Sequence, residues 1–370
     1  MRIIDGDGHV MEDSAELGRY LPPPFNERAG ARRTEAGRWF PPLDHMHAFI
    51  GETPPGSFRT VGVDGWLEFL EDVGIETTVL YTTAGLGVGK ILHRDWAIAL
   101  TRAYNDYIHA TYLQRSPRFQ AMALIPMQEP DAAAAELRRA VEELGFCGAM
   151  LPSTGLKDQL GAKDYWPVYA EADRLGCALG VHGGAHSGLG FDHMNVYTPI
   201  NALGHPAGLL INFAGVIFNG VLDRYPNAKF GFMEGGAAWL LVATERFDRA
   251  HETHVQWNPR AELSPKADEK VSAYIAKHIR EGRLFIGCEG DEPAIAYAVH
   301  ELGVNPFIYS SDFPHEVNND TCKEEIGELI ERSDLSDADK EAVLHGNAER
   351  FYSLNRRTGG APSQQTTAAG

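Results

Sequence analysis

From Asp64 onward the chain alternates short apolar runs with longer stretches of helical periodicity, and this alternation limits the possible folds more than any other feature. Apolar runs fall at Glu76–Thr82, Phe119–Met127, Phe146–Leu151, Cys177–Val181, Lys229–Met233, Arg283–Cys288 and Pro306–Ser310. They are continuous rather than alternating with polar residues, which suits parallel strands buried on both faces. The stretch Ile3–Val10 adds an eighth strand at the N-terminus. Helices are predicted between them. One begins at a capping Asp64 and ends near Gly74. Another covers Asp95–Tyr112, with Trp96, Leu100, Tyr104, Tyr107 and Ile108 on one face. Others follow at Asp131–Leu144, Asp164–Leu175, Pro206–Tyr225, Ala237–His251 and Pro293–Leu302, with two more closing the chain before Asn355. Eight βα units in a chain of this length point to an α/β fold, a (β/α)8 TIM barrel. An open doubly wound sheet is the alternative, but no Gly-x-Gly-x-x-Gly opens a helix after an early strand.

The expected organisation is a single barrel over 1–354 with a tail, 355–370, rich in Gly, Ser, Thr and Gln and expected to be disordered. Between about Gly18 and Gly62 lies a proline-rich stretch with little periodicity, expected to form a lid inserted after the first strand. Its His45-Met46-His47 is read as surface histidines on that lid rather than as ligands. With 33 basic against 51 acidic residues the net charge is −18, which leaves no basic footprint for nucleic acid or an anionic membrane. No signal peptide and no membrane-spanning run are read. Cys147, Cys177, Cys288 and Cys322 form no CxxC pair and suit small hydrophobes in a reducing compartment, so a cytoplasmic protein is expected.

In Ile3–Val10, strand alternation would put Asp5, Asp7 and His9 on one side, where they would need a partner such as a divalent metal. A turn, with Asp and His capping the next segment, is the competing reading of this stretch alone. In a (β/α)8 barrel, chemistry sits at the C-terminal ends of the strands. Those ends carry Asp7 and His9, then His182, Glu234 and Asp312, each followed by small or turn residues. Such a set suits a divalent ion with nitrogen and oxygen ligands and an open position for water or substrate.

Asp7-x-His9, Val181-His182, Ser310-Ser311-Asp312-Phe313-Pro314-His315 and Gly346-Asn347-Ala348-Glu349-Arg350-Phe351-Tyr352 together resemble the amidohydrolase-2 branch of the amidohydrolase superfamily. That branch includes aminocarboxymuconate-semialdehyde, γ-resorcylate and 5-carboxyvanillate decarboxylases. The resemblance covers the chain to about Leu354. It implies one divalent metal per chain, zinc in the first place and manganese as the alternative, with His9, His182 and Asp312 as ligands and Asp7 in the place of the family's first His or acidic ligand. The first motif is Asp-x-His rather than His-x-His, and such harder ligands favour manganese. Where the decarboxylases place a His after strand 6, this chain has Glu234-Gly235-Gly236.

The expected activity is that of a metal-dependent carboxy-lyase or hydrolase acting on a small cyclic or aromatic carboxylic acid. Hydrolysis of an amide or lactone is one alternative, and a catalytically silent barrel serving as a binding or assembly subunit is another. Glu234 is expected to transfer protons rather than to act as ligand or structural acceptor, and Asp312 to join the catalytic set. His205, opening the long apolar helix, could project toward the site; His186 and His315 are further candidates, for binding substrate or for carrying the proton. Arg246 matches an Arg that meets a substrate carboxylate in the decarboxylases, sometimes across a dimer interface, and a surface salt bridge is its competing role. The apolar helix suits burial in the core or a homodimer interface, and a homodimer or higher homo-oligomer is expected. His251 and His254 are expected on the surface.

Overall fold

The computed structural model describes residues 1–27, 39–43, 55–184, 186, 188–257 and 265–354. The apolar runs become β1 (Ile4–Val10), β2 (Thr77–Thr82), β3 (Phe119–Leu124), β4 (Gly148–Pro152), β5 (Ala178–His182), β6 (Lys229–Met233), β7 (Leu284–Cys288) and β8 (Phe307–Tyr309). They pair in parallel and in chain order from β1 to β8. Two backbone bonds join the last strand's exit to the first strand. Asp312 N–H donates to Asp7 C=O at 3.0 Å, and His9 N–H donates to Phe313 C=O at 2.7 Å. Helices flank this ring, as the (β/α)8 reading requires, and every residue of β1, β4, β5 and β7 is buried.

Most predicted helices form within a few residues of their expected ends. The first, Val63–Val73, is capped at Gly62, with Asp64 placed in its first turn rather than at the cap. The largest departure is the long apolar helix, which runs from Thr198 to Phe218 and not from Pro206 to Tyr225. Proline normally marks a helix start because it lacks an N–H and crowds the carbonyl four residues back. Here Pro206 lies inside the helix, and the crowded residue, Ala202, lies with it along a cleft, where a freed carbonyl needs no intrahelical partner. The far end is set by Gly220, whose φ of 65° is left-handed and ends the helical path. By length and composition this helix could cross a membrane, contrary to expectation. It packs instead against β5, β6 and the Ala238–His254 helix, and its buried Asn212 bonds Leu160 N and Ser153 O. His251 is also buried, unlike the exposed His254, because it lies on the inward face of its helix and meets Lys266 O at 2.8 Å.

Strict alternation does not survive in β1. The register against β2 shifts between Asp5 and Gly8, a bulge that re-aims the side chains beyond it. Gly8 makes the close packing possible: a Cβ there would lie 2.5 Å from Trp66 and 2.7 Å from Asp5 Oδ2. Asp5 is consequently taken up in structure, accepting from Thr78 Oγ1 (2.6 Å) and Ser311 N (2.9 Å), while Asp7 and His9 turn to the mouth. In the expected lid, described residues pack on the barrel. Trp39 and Phe40 are buried, and Phe58 stacks on His315 with ring centres 5.5 Å apart. His45, His47 and the 355–370 tail lie outside the described residues. All four cysteines are buried and free.

Candidate metal centre

Five strand-end side chains converge where β1, β5, β6 and β8 open. His9 Nε2 lies 3.5 Å from Asp7 Oδ1 and 3.4 Å from Asp312 Oδ1. His182 Nε2 lies 3.3 Å from Asp7 Oδ2 and 3.2 Å from Glu234 Oε2. Metal–donor bonds of about 2.0–2.2 Å at tetrahedral or octahedral angles space neighbouring donors by about 2.8–3.6 Å. Asp7 Oδ1, His9 Nε2, His182 Nε2, Glu234 Oε2 and Asp312 Oδ1 are all buried with no hydrogen-bond partner among the described residues. Buried polar atoms are normally satisfied, and such exceptions gathered around His9 and His182 fit a divalent cation. The donors form two overlapping triads, Asp7/His9/His182 and His9/Asp312/His315, rather than one closed group of the expected four.

Both histidines are oriented from behind. His9 Nδ1 meets Thr82 O at 2.8 Å and His182 Nδ1 meets Gly183 O at 3.0 Å, so each Nδ1 carries the proton and each Nε2 lone pair faces the centre. Glu234 and Asp312 leave their strands with φ of 57° and 53°, a left-handed conformation that non-glycine residues adopt mostly where function requires it.

Burial pushes the Asp7 carboxyl up, against the pull of His182. Burial also raises Asp312, to about 7, with His315 opposing and Glu234 adding to the rise. Burial together with the cationic His315 and His182 holds His9 well below its ordinary value. On His182 burial opposes charge, yet Asp7 and Glu234 outweigh it and raise the imidazole to about 10. A proton there does the balancing that a metal would do, and metal binding would release it.

The proton-handling candidates sit at the edge of this cluster. His205 lies within the Thr198–Phe218 helix, not at its start. Its Nδ1 is 3.1 Å from Glu234 Oε1 and 3.2 Å from Glu234 O. Gly183 allows the approach, since a Cβ there would lie 2.6 Å from the His205 ring. Burial opposes a charge on His205, but Glu234 raises its pKa; Glu234 in turn is held well below the usual carboxylate range, despite burial, by His205 and His182. His186, on its loop as expected, is buried, with its ring centre 5.0 Å from that of His205. His315 Nδ1 is 2.8 Å from Asp312 Oδ1, and Asp312 overcomes burial to raise His315 to about 9.

A cleft of about 550 Å³ opens onto these groups. One wall is the helix face carrying Tyr197, Asn201 and His205, four residues apart; opposite stand Glu289, Glu316 and Glu325. Burial and then the charge of Glu292 push Glu289 up to about 7, and burial and then the charge of Glu289 push Glu325 up to about 8. Among the described lining residues there is no Lys or Arg. Arg246 stands exposed on the Ala238–His254 helix and does not line this cleft. A second hollow of about 580 Å³, beside the loops after β2, β3 and β4, contains none of the converging residues.

Sequence reasoning missed Glu12, Tyr197, Asn201 and Glu289. Glu12 accepts from the Thr82 hydroxyl and from Thr83 N (3.1 Å) and Ala84 N (2.9 Å), and so holds the turn behind His9. Only Glu289, directly after an apolar run, carried a signal that could have found it.

Among curated proteins, the chain is 28% identical to 2-amino-3-carboxymuconate-6-semialdehyde decarboxylase of Dictyostelium discoideum over 70% of this chain and 68% of that protein. It is 24% identical to γ-resorcylate decarboxylase of Polaromonas sp. over 79% and 88%. Among solved structures, 5-carboxyvanillate decarboxylase from Sphingomonas paucimobilis superposes with a TM-score of 0.71 at 20% identity, covering 95% of this chain and 99% of that one. A dihydroxybenzoic acid decarboxylase from Polaromonas sp., with bound manganese and 2-nitroresorcinol, gives 0.66 at 21% identity, covering 96% and 98%. These structural likenesses establish the shared barrel. The Amidohydrolase family model (Amidohydro_2) matches residues 64–354, and the chain is a member of that enzyme family.

Proposed function

We propose that the chain is a divalent-metal-dependent decarboxylase of a small aromatic carboxylic acid. The observation that carries this reading is the convergence of buried donor atoms of Asp7, His9, His182, Glu234 and Asp312 at the strand ends, Asp7, His9 and His182 lying within one potential ligand group. The activities named for its relatives, all decarboxylases of the same family, supply the reaction class. Asp7, His9, His182 and Asp312 would hold the ion. With carboxylates as prominent as imidazoles, the donor set leans toward manganese over zinc, as in the Polaromonas structure.

When bound, the ion supplies Lewis-acid polarisation of a substrate oxygen. The other tasks fall to side chains. With no described Lys or Arg lining the cleft, His205 is its cationic group and orients the substrate carboxylate, with His315 behind the lining Asp312. His205, kept charged by Glu234, gives its proton to the ring carbon; the bond from that carbon to the carboxylate breaks, and its electron pair becomes the new C–H bond as carbon dioxide departs. Glu234 then shares the role expected of it alone: it sets the charge of the donor. The described part of the expected lid would cover the mouth from the side of Phe58, which stacks on His315.

The protein is read as a cytoplasmic homodimer. Free buried cysteines suit a reducing compartment, and Leu203, Ile211 and Val242, about half exposed on two packed helices, supply an apolar contact face near Arg246. Arg246 would reach a site only across that contact.

The test is a panel of 2,6-dihydroxybenzoate, 5-carboxyvanillate and related acids, with lactones and amides alongside, offered to manganese-loaded protein. Carbon dioxide release from an acid that stops on chelation is expected. Hydrolysis without carbon dioxide release, or full activity in metal-free protein, would overturn the reading. In the same assay Glu234→Gln should keep its metal and lose about 100-fold or more in kcat; loss of metal would instead make Glu234 a ligand.

A further inference from the structure

The His315 ring has two ring neighbours, His9 tilted by 30° with centres 4.1 Å apart and Phe58 stacked at 5.5 Å. Such ring contacts restrain the plane of an imidazole but cannot tell its two flipped orientations apart. A half-turn about the Cβ–Cγ bond exchanges Nδ1 with Cδ2 and Nε2 with Cε1 and leaves both ring contacts in place. Polar contacts to the ring nitrogens choose between them. Among the described residues two exist: Nδ1 against Asp312 Oδ1 at 2.8 Å, and Nε2 against Thr83 Oγ1 at 3.0 Å.

Thr83 is itself well fixed. It directly follows β2, its N–H meets Val10 O at 3.2 Å and Glu12 Oε1 at 3.1 Å, and the next residue's N–H also bonds Glu12. The preceding carbonyl, Thr82 O, is the one that orients His9. One turn, anchored by Glu12, therefore supports side chains from opposite sides of the barrel seam.

We propose that Thr83 is a positioning residue: its hydroxyl locks the orientation of the His315 ring and, through it, the direction in which the Asp312 carboxylate faces the metal centre. Without that hydroxyl, only the Asp312 contact opposes the flip, which would present a carbon to the carboxylate and remove the contact that aims it. This inference rests on the metal reading above and adds to it a hydroxyl residue directly after β2.

The experiment compares Thr83→Val, which keeps the shape and removes the hydroxyl, with Thr83→Ser, which restores the hydroxyl. Two quantities are read on folded full-length protein: the ring nitrogen signals of His315 in metal-free, histidine-labelled samples, assigned by their loss in His315→Gln, and the affinity for Mn2+ alone. Thr83→Val should move the His315 signals and weaken Mn2+ binding by about 10-fold, at the lower end of the range for residues that orient metal ligands. Thr83→Ser should leave both near wild type. Unmoved His315 signals or unchanged Mn2+ affinity in Thr83→Val, with wild-type protein binding the ion, overturns this inference alone. Wild-type protein that binds no Mn2+ removes the metal reading and this inference with it.

Discussion

Glu234 and Asp312 show what a single residue contributes at a strand exit. Each has a side chain that glycine lacks and a backbone that glycine would adopt more easily, at a cost of about 1–3 kcal/mol for such a conformation. That strain tips both carboxylates into the mouth, where one meets His182 and His205 and the other His9 and His315. His205 offers the sharpest test at this scale. His205→Gln keeps a polar side chain of similar reach but carries no transferable proton, so metal content should hold while kcat falls by about 100-fold or more, measured on whichever acid the panel identifies. Asp7, His9, His182, Glu234 and Asp312 were legible because chemically reactive residues directly ended apolar runs. Thr83, Glu12 and Asp5 were not, because a loop Thr or Glu gains meaning only from neighbours distant in sequence, such as His315 for Thr83.

For whole elements, the period of apolar residues found the strands and most helices, and failed where one residue carried two messages. Pro206 read as a beginning, so the turns bearing Tyr197 and Asn201 were missed and His205 was placed at a helix start instead of on a cleft-facing stripe. The β1 bulge hid in the same way, since glycines there look like a turn. Between the Pro130–Glu142 and Trp166–Leu175 helices the joint is electrostatic. Arg174 and Arg138 bond Glu171 at 2.6 and 2.9 Å and hold its carboxyl down at about 2. A carboxyl lowered by folding contributes stability above its unfolded value of 4.5, and that contribution is lost as pH falls from there toward 2. Glu171→Gln should thus lower Tm by about 1–2 °C at pH 6, for a loss of roughly 1 kcal/mol, with the gap to wild type closing near pH 3 in thermal scans.

The molecule as a whole follows from length and the count of βα units, which left little besides a closed parallel barrel. What covers its outer surface was less legible, because exposed apolar residues such as Ile211 become evident only once helices have been packed. If Leu203, Ile211 and Val242 form the homodimer contact, Ile211→Asp should give monomers in sedimentation while thermal stability stays near wild type; an unchanged sedimentation coefficient would place the contact elsewhere. The seam between β1 and β8 has a different consequence, concerning time rather than space. Asp7 and His9 are made long before Asp312, and the backbones of the two strand exits bond each other directly. A ribosome must therefore complete β8 before all the strand-end groups can meet. A product truncated before β8 would carry Asp7 and His9 with no counterpart, so the full set of donors and the closed ring come into being together.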